Sequence, residues 1–152
     1  MRADPPFVAL VLPGDLPEPV VPQFLRATRV LACPEVSALP LTAVLAAVLA
    51  RYTGHEALSV GDRPFRVASD TTVGEIARQA GPGADREIRL GPGLTLGSRG
   101  DALTAEYETD RYSPELVEGL LTDMRRVLGA PVHTTVAELG IHPPAPPRAS
   151  VT

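Results

Sequence analysis

The stretch Leu41-Thr-Ala-Val-Leu-Ala-Ala-Val-Leu-Ala-Arg-Tyr-Thr-Gly54 is the most informative part of this 152-residue chain. Its larger apolar side chains recur at intervals of three and four residues, which is the spacing of one helix face. Alanines fill most of the remaining positions, so the helix predicted over residues 41–52 is apolar nearly all round. Such a helix is usually buried on more than one side, and Gly54 stands where a C-terminal cap is expected.

Shorter patterns on both sides of this helix predict a mixture of strands and further helices. A capping box at Thr72 and Glu75 opens a helix over residues 72–80, and Ser113 is the N-cap of a last long helix. Residues 24–33 fit either one helix face or a short strand before Pro34, and we favour the strand. The other expected elements are strands at 7–12, 57–61, 64–67, 87–90, 94–96 and 103–109 and a short turn at 136–139. The class is therefore α/β or α+β.

The amino-acid composition excludes several classes of function. The 14 basic side chains are all arginines, which excludes a lysine nucleophile and a GK[ST] phosphate loop, and 18 acidic side chains give a net charge of −4. An acidic chain argues against nucleic acid as a partner. No apolar run approaches the roughly 18 residues of a membrane span, so we expect no membrane partner. Cys33 is the single cysteine, which favours a buried free thiol and a cytoplasmic protein.

Side chains that could carry chemistry are sparse. His55, His133 and His142 have no metal-ligand spacing, so we expect neither a metal nor another cofactor. The glycines at 91–97 predict a hairpin turn rather than a phosphate-binding loop. Glu106 and Glu108 alternate on one predicted strand; a carboxylate pair for acid–base work is conceivable, but a solvated outer strand face is the simpler interpretation.

Three segments carry a family pattern when they are taken in order. The first runs from Leu41 to His55 and continues with Leu58-Ser-Val-Gly61. The second is Arg63-Pro-Phe-Arg-Val67 with Thr71-Thr-Val-Gly-Glu-Ile76, and the third is Leu103-Thr-Ala-Glu-Tyr-Glu-Thr-Asp110 with the helix after it. Together they resemble the C-terminal lobe of the condensation domains of nonribosomal peptide synthetases, and Val136-Ala-Glu-Leu139 resembles the exit segment of that lobe.

The resemblance implies an architecture: a single lobe of the chloramphenicol-acetyltransferase-like fold, with a mixed sheet and about three packed helices. We accordingly divide the chain into an N-terminal strand and Pro-rich segment (1–22), a condensation-like half-domain (23–141) and a disordered Pro-rich tail (142–152). The catalytic signature of the family, H-H-x-x-x-D-G, belongs to the other lobe and is absent from this sequence. We therefore predict no catalytic residue, although the question of an enzyme stays open.

The favoured hypothesis is a non-catalytic, condensation-domain-like accessory protein in nonribosomal peptide biosynthesis that binds a carrier-protein domain or a synthetase module. A lone lobe is expected to expose an apolar face, which a homodimer or another lobe would cover. One alternative is an acyltransferase that a partner lobe completes, with His55 or His133 as substitutes for the missing histidine. Another is a scaffold fragment without a specific ligand.

Four arginines are the candidate partner-binding residues. Arg66 matches a strand arginine of the family, and ion pairing inside the lobe is as plausible a role as ligand contact. Arg111, Arg125 and Arg126 could meet the acidic surface of a carrier protein. For Arg125 and Arg126 the competing interpretation is that of favourable charges at the C-terminal end of a helix.

Overall fold

A computed structural model describes residues 8–9, 16, 25–35, 38–60, 63–81, 87–91 and 93–141. Within these residues the chain forms three α-helices, one 3-10 helix and seven strands. In chain order these elements are β1 (Val8–Ala9), β2 (Arg26–Ala32), α1 (Leu41–Thr53), β3 (Ala57–Val60), β4 (Arg63–Arg66), α2 (Val73–Ala80), β5 (Glu87–Gly91), β6 (Leu94–Arg99), β7 (Ala102–Glu108), α3 (Pro114–Gly129) and the 3-10 helix Val136–Leu139.

The strands form two sheets instead of the single mixed sheet that was expected. The smaller sheet has the order β1-β3-β4, with β1 parallel and β4 antiparallel to β3. The larger sheet is wholly antiparallel and has the order β2-β7-β6-β5. The mixed α+β class is confirmed. No helix in the part of the chain described here is long and apolar enough to cross a membrane.

Helix α1 is the centre of the core, as its sequence predicts. All of its residues from Leu41 to Ala50 are buried, and it contacts α2, α3, β3 and β5. Gly54 ends it in the left-handed conformation, with φ of 77°, and donates its N–H to the Ala50 carbonyl. A residue without Cβ reaches that conformation at little steric cost, which is why glycine is common after a helix end.

The ambiguous segment before α1 is a strand, as we favoured. Strand β2 pairs with β7 over seven consecutive residues without a register shift. Its Ala27 and Leu31 side chains pack on the core while the residues between them are exposed. The hairpin predicted across residues 91–93 is also present, because β5 and β6 pair on either side of Gly93. In the N-terminal segment only β1 and Leu16 are described, and residues 142–152 lie outside the described part.

Strand β7 departs from the sequence interpretation at one position. Leu103, Ala105 and Tyr107 point into the core as predicted, and Glu106 is exposed. Glu108 was expected on the solvated face, yet it is buried. Its carboxylate lies against Gly93, where a Cβ would collide with it, and it forms an ion pair with Arg111 at 3.4 Å. A glycine on the neighbouring hairpin therefore makes room for a carboxylate that the alternation alone assigns to solvent.

Two capping boxes fix the last part of the fold. At the start of α2, the Thr72 side chain accepts from the Glu75 N–H and the Glu75 carboxylate accepts from the Thr72 N–H. Thr135 and Glu138 repeat this arrangement at the 3-10 helix. The two caps face each other, since Thr72 and Thr135 form an antiparallel β-bridge.

Backbone N–H groups near each cap donate hydrogen bonds to carbonyls near the other cap. In α2, Val73 and Gly74 donate their N–H groups to carbonyls of the 132–134 segment at 2.9 and 2.8 Å. In return, Val136 and Ala137 donate to carbonyls of the segment that precedes α2. A Cβ at Gly74 would lie 3.1 Å from the Val132 carbonyl oxygen, so the close approach favours glycine there. The first N–H groups of both helices are thus used inside the fold.

The capping boxes predict a pH dependence of stability. Hydrogen bonds, first from the Thr72 and Thr135 backbones and then from their hydroxyls, hold the pKa of Glu75 and of Glu138 below the ordinary value of 4.5. A lowered folded-state pKa means that these carboxylates contribute stability above the unfolded-state pKa and lose it as pH falls through the folded-state pKa. Because glutamine keeps a capping box without titrating, the Glu75→Gln/Glu138→Gln variant is expected to weaken this dependence.

The measurement is urea unfolding of both proteins between about pH 6 and about pH 3. The free energy of unfolding of the wild type should approach that of the double variant as the pH falls. Glu56→Gln, at an exposed glutamate outside the boxes, is the matched control. A difference between wild type and double variant that is the same at every pH would contradict the prediction.

A side-chain hydrogen bond joins α1 to α3. The Tyr52 hydroxyl donates to Asp123 Oδ2 at 2.5 Å. Burial, and then this carboxylate, raise the pKa of Tyr52, so the phenol stays a neutral donor.

We expect Tyr52→Phe to lower the free energy of unfolding by about 1 kcal/mol. Urea unfolding of Tyr52→Phe, Asp123→Asn and the double variant would measure the coupling, and additive effects would show that the bond contributes nothing.

Candidate functional site

The two described histidines do not form a sheltered site. His55 follows the cap of α1, and His133 lies in the loop between α3 and the 3-10 helix; both are exposed. A small depression of about 110 Å³ borders His55 and is also lined by Glu56 and Ser69. Among the residues that the structure describes, no three His, Cys, Asp or Glu side chains are grouped to hold a metal ion. His142 lies outside the described residues.

Cys33 is buried at the end of β2, as predicted for a free thiol. Burial raises its pKa, and the carboxylate of Glu35, 3.9 Å from the sulfur, does not favour a thiolate. The thiol is therefore held in the protonated, weakly nucleophilic form.

The candidates Arg66 and Arg111 lie in different parts of the fold. Arg66 is the last residue of β4 in the smaller sheet, and Arg111 follows β7. Arg66 is exposed on β4, and its backbone N–H and C=O are bonded to the Gln79 side chain of α2 at 2.7 and 2.9 Å. Arg111 follows β7 and is held by the ion pair with Glu108. This pairing leaves Arg111 less available to a partner, because a ligand would have to compete with a buried carboxylate.

Arg125 and Arg126 are neighbours near the C-terminal end of α3 with different surroundings. Arg126 donates to the carbonyl oxygens of Leu139 and Gly140 at 3.5 and 3.1 Å, so it ties α3 to the end of the 3-10 helix. Arg125 is exposed and lines a shallow depression together with Arg126, Glu35 and Thr122. The four candidates thus lie on three separate elements, and only these two share a depression.

A concave surface larger than these two depressions lies elsewhere, on the outer face of the larger sheet. We call this face, formed by the outward side chains of β2, β7, β6 and β5, the open sheet face. The inward side chains of the same strands are in the core, for example Leu96 and Leu103. The open sheet face holds a groove of about 560 Å³. Its main charged and polar lining residues are Arg26, Thr28, Glu87, Arg89, Arg99 and Glu106.

Small residues form the floor of this groove. Gly97 stands between Glu87 and Thr104 in the strand register and lines the groove, although it is itself buried. Arg26 pairs with Glu106 at 2.7 Å across β2 and β7. Among the described residues that line the groove, there is no histidine, cysteine or serine. The groove therefore presents guanidinium, carboxylate and hydroxyl groups on the support of a β-sheet.

Sequence reasoning missed this surface, although its signal is present. The outward positions of β5 alternate with apolar ones, as Glu87 and Arg89 do with Ile88 and Leu90. Such alternation predicts a strand with one face exposed to solvent. What the alternation does not supply is the order of the strands, without which arginines distant in sequence cannot be assigned to one groove.

The apolar face expected of a lone lobe is not found in the described residues. Their exposed large hydrophobic side chains are Leu25, Val30 and Val132. Val132 lies in the loop after α3, far along the chain from the other two. The face of the larger sheet that the core leaves open is polar, because charged residues and threonines occupy its outward positions.

Comparison with known proteins adds no family to these observations: no protein-family model, no curated protein sequence and no solved structure matches the chain.

Proposed function

We propose that this protein is a non-catalytic binding protein, similar to one lobe of a condensation domain, that receives a carrier-protein domain or a synthetase module on its open sheet face. The finer assignment of the fold, one lobe of the chloramphenicol-acetyltransferase-like architecture, belongs to the same proposal. So does a cytoplasmic location, for which the single buried Cys33 is the support.

The composition of the groove is the observation that carries the proposal. Three arginines and two glutamates line it, so it has one positive charge in excess, whereas the whole chain has a net charge of −4. Local positive charge favours an acidic partner, and charge complementarity directs encounter and orientation. Carrier-protein domains, the partners that the family resemblance implies, present an acidic surface.

The location of the histidines supports binding over acyl transfer. Neither His55 nor His133, the residues that the acyl-transfer alternative would use, is among the described residues that line the groove. An acyl group delivered to this surface would meet threonine hydroxyls, guanidinium groups and the carboxylates of Glu87 and Glu106, of which Glu106 is paired with Arg26. These groups can hold a polar chain in place by hydrogen bonds and charge.

The family resemblance supports the proposal through the elements that it covers. The first matching segment contains α1 and β3, the second contains β4 and the start of α2, and the third contains β7 and α3. These elements contribute most of the buried core. The residues that match the family are thus those that shape the lobe, which is the pattern expected if the shape is kept for binding.

The proposal predicts that arginines of the groove contribute to carrier binding. The variant Arg89→Ser/Arg99→Ser removes two positive charges from the groove and no core contact, since both side chains are exposed. We expect it to weaken binding of a carrier domain, loaded with its prosthetic arm, at least tenfold at low salt, and the wild-type affinity to fall as salt rises. Calorimetric titration with carrier domains and with a complete synthetase module is the measurement.

Arg78→Ser is the matched control, because Arg78 is an equally exposed arginine on α2. It should leave the affinity unchanged. Circular dichroism of each variant would establish that the fold is retained. If the wild type binds neither carrier domains nor modules, or if the groove variant binds them as the wild type does, the proposed function is wrong.

A further inference from the structure

Strand β2 is an edge of the larger sheet whose only neighbour among the described strands is β7. It is seven residues long and its register with β7 is continuous. Most of its side chains are exposed, and Val30 is exposed at 63%, the largest value among the exposed large hydrophobic residues of the described chain. An edge strand presents a row of backbone groups that can pair with a further strand.

The hydrogen bonds that flank β2 show which of its backbone groups point outward. The Thr109 N–H donates to the Leu25 carbonyl at 2.9 Å, and the Cys33 N–H donates to the Asp101 carbonyl at 2.8 Å. In an antiparallel ladder, hydrogen-bonded positions alternate with positions whose N–H and C=O point away. The odd-numbered residues therefore bond to β7. The outward-pointing groups belong to Arg26, Thr28, Val30 and Ala32.

Features that commonly protect an edge strand are weak in β2. It contains no proline and no bulge. Its two charged side chains form ion pairs within the chain. Arg26 pairs with Glu106 at 2.7 Å, and Arg29 pairs with Glu118 at 3.2 Å. The edge is therefore regular and has little net charge, which suits a neutral strand better than an acidic one.

We propose that β2 pairs antiparallel with β2 of a second copy of this chain, with Val30 of each copy opposite Val30 of the other. The two larger sheets then form one continuous eight-stranded sheet. Thr28 of one copy lies opposite Ala32 of the other, and their outward backbone groups exchange about six hydrogen bonds. This surface goes beyond the proposed function, and it does not depend on it.

Charge and packing favour this register over the symmetric ones centred on Arg29 and on Thr28. Centring the pair on Arg29 would set two arginines directly opposite each other, which is unfavourable. Centring it on Thr28 would place Val30 opposite Arg26. With Val30 at the centre, the exposed valines cover each other and Arg29 stands opposite Leu31, so no like charges face each other. A two-fold interface of this kind is self-complementary, as a dimer of identical chains requires.

The first test is the oligomeric state, measured by sedimentation over a wide range of protein concentration. The wild type should dimerise, and Val30→Glu should raise the dissociation constant at least tenfold. Thr28→Pro should do the same while keeping the ladder with β7, because the Thr28 N–H points outward. Val132→Glu, at a valine of 61% exposure in the loop after α3, is the matched control and should dimerise as the wild type does.

The second test reads the register by oxidative cross-linking in a Cys33→Ser background. Val30→Cys should form a covalent dimer at least tenfold faster than Thr28→Cys, because only Val30 lies opposite its own counterpart. A wild type that stays monomeric at its highest soluble concentration overturns the proposal, and so does a Val30→Glu variant that dimerises normally or a Thr28→Cys variant that cross-links faster. Arg89→Ser/Arg99→Ser, at the other side of the sheet, should leave the dimer intact, so the outcome is independent of carrier binding.

Discussion

Ten consecutive buried residues of α1, from Leu41 to Ala50, are the constraint on which the other elements depend. A helix buried on all sides needs neighbours in every direction, and α2, α3 and the strands β3 and β5 supply them. The alanines at 43, 46, 47 and 50 allow these neighbours to approach closely, since a small side chain shortens the distance between packed elements. Removing any one neighbour would expose part of this helix to water, so the two sheets and three helices are stable only together.

One face of the larger sheet packs against this core, and its other face is exposed to solvent. The side chains of Leu96, Leu103 and Tyr107 point into the core, and the outward side chains of the same strands contact water. Those residues are arginines, glutamates and threonines, which keep the face solvated without hydrophobic cover. The hydrophobic exception on β2 is Val30, and it stands on the edge strand. The polar face and the edge therefore meet at β2, where Arg26, Thr28 and Val30 border the groove and also lie along the edge.

Local signals made much of the fold predictable. The spacing of apolar residues identifies α1, and the pairs Thr72–Glu75 and Ser113–Leu116 mark helix starts because capping is an interaction between residues three apart. Contacts between distant segments were not predictable in this way. The burial of Glu108 depends on Gly93 of another hairpin, and the role of Arg126 depends on carbonyls of the 3-10 helix. The division into two sheets and the groove likewise arise from strand order, which no local pattern encodes.

The polarity of the open sheet face also bears on how a partner could be held there. A lobe that buried its second face against a partner would carry apolar residues there, and its separation would cost the free energy of exposing them. Here that cost is small, because the exposed positions are already hydrophilic. Binding at this face must then depend on hydrogen bonds and paired charges, which gain little net free energy in water and respond to salt. A carrier domain bound as proposed would therefore exchange readily, which suits a carrier that delivers its cargo and departs.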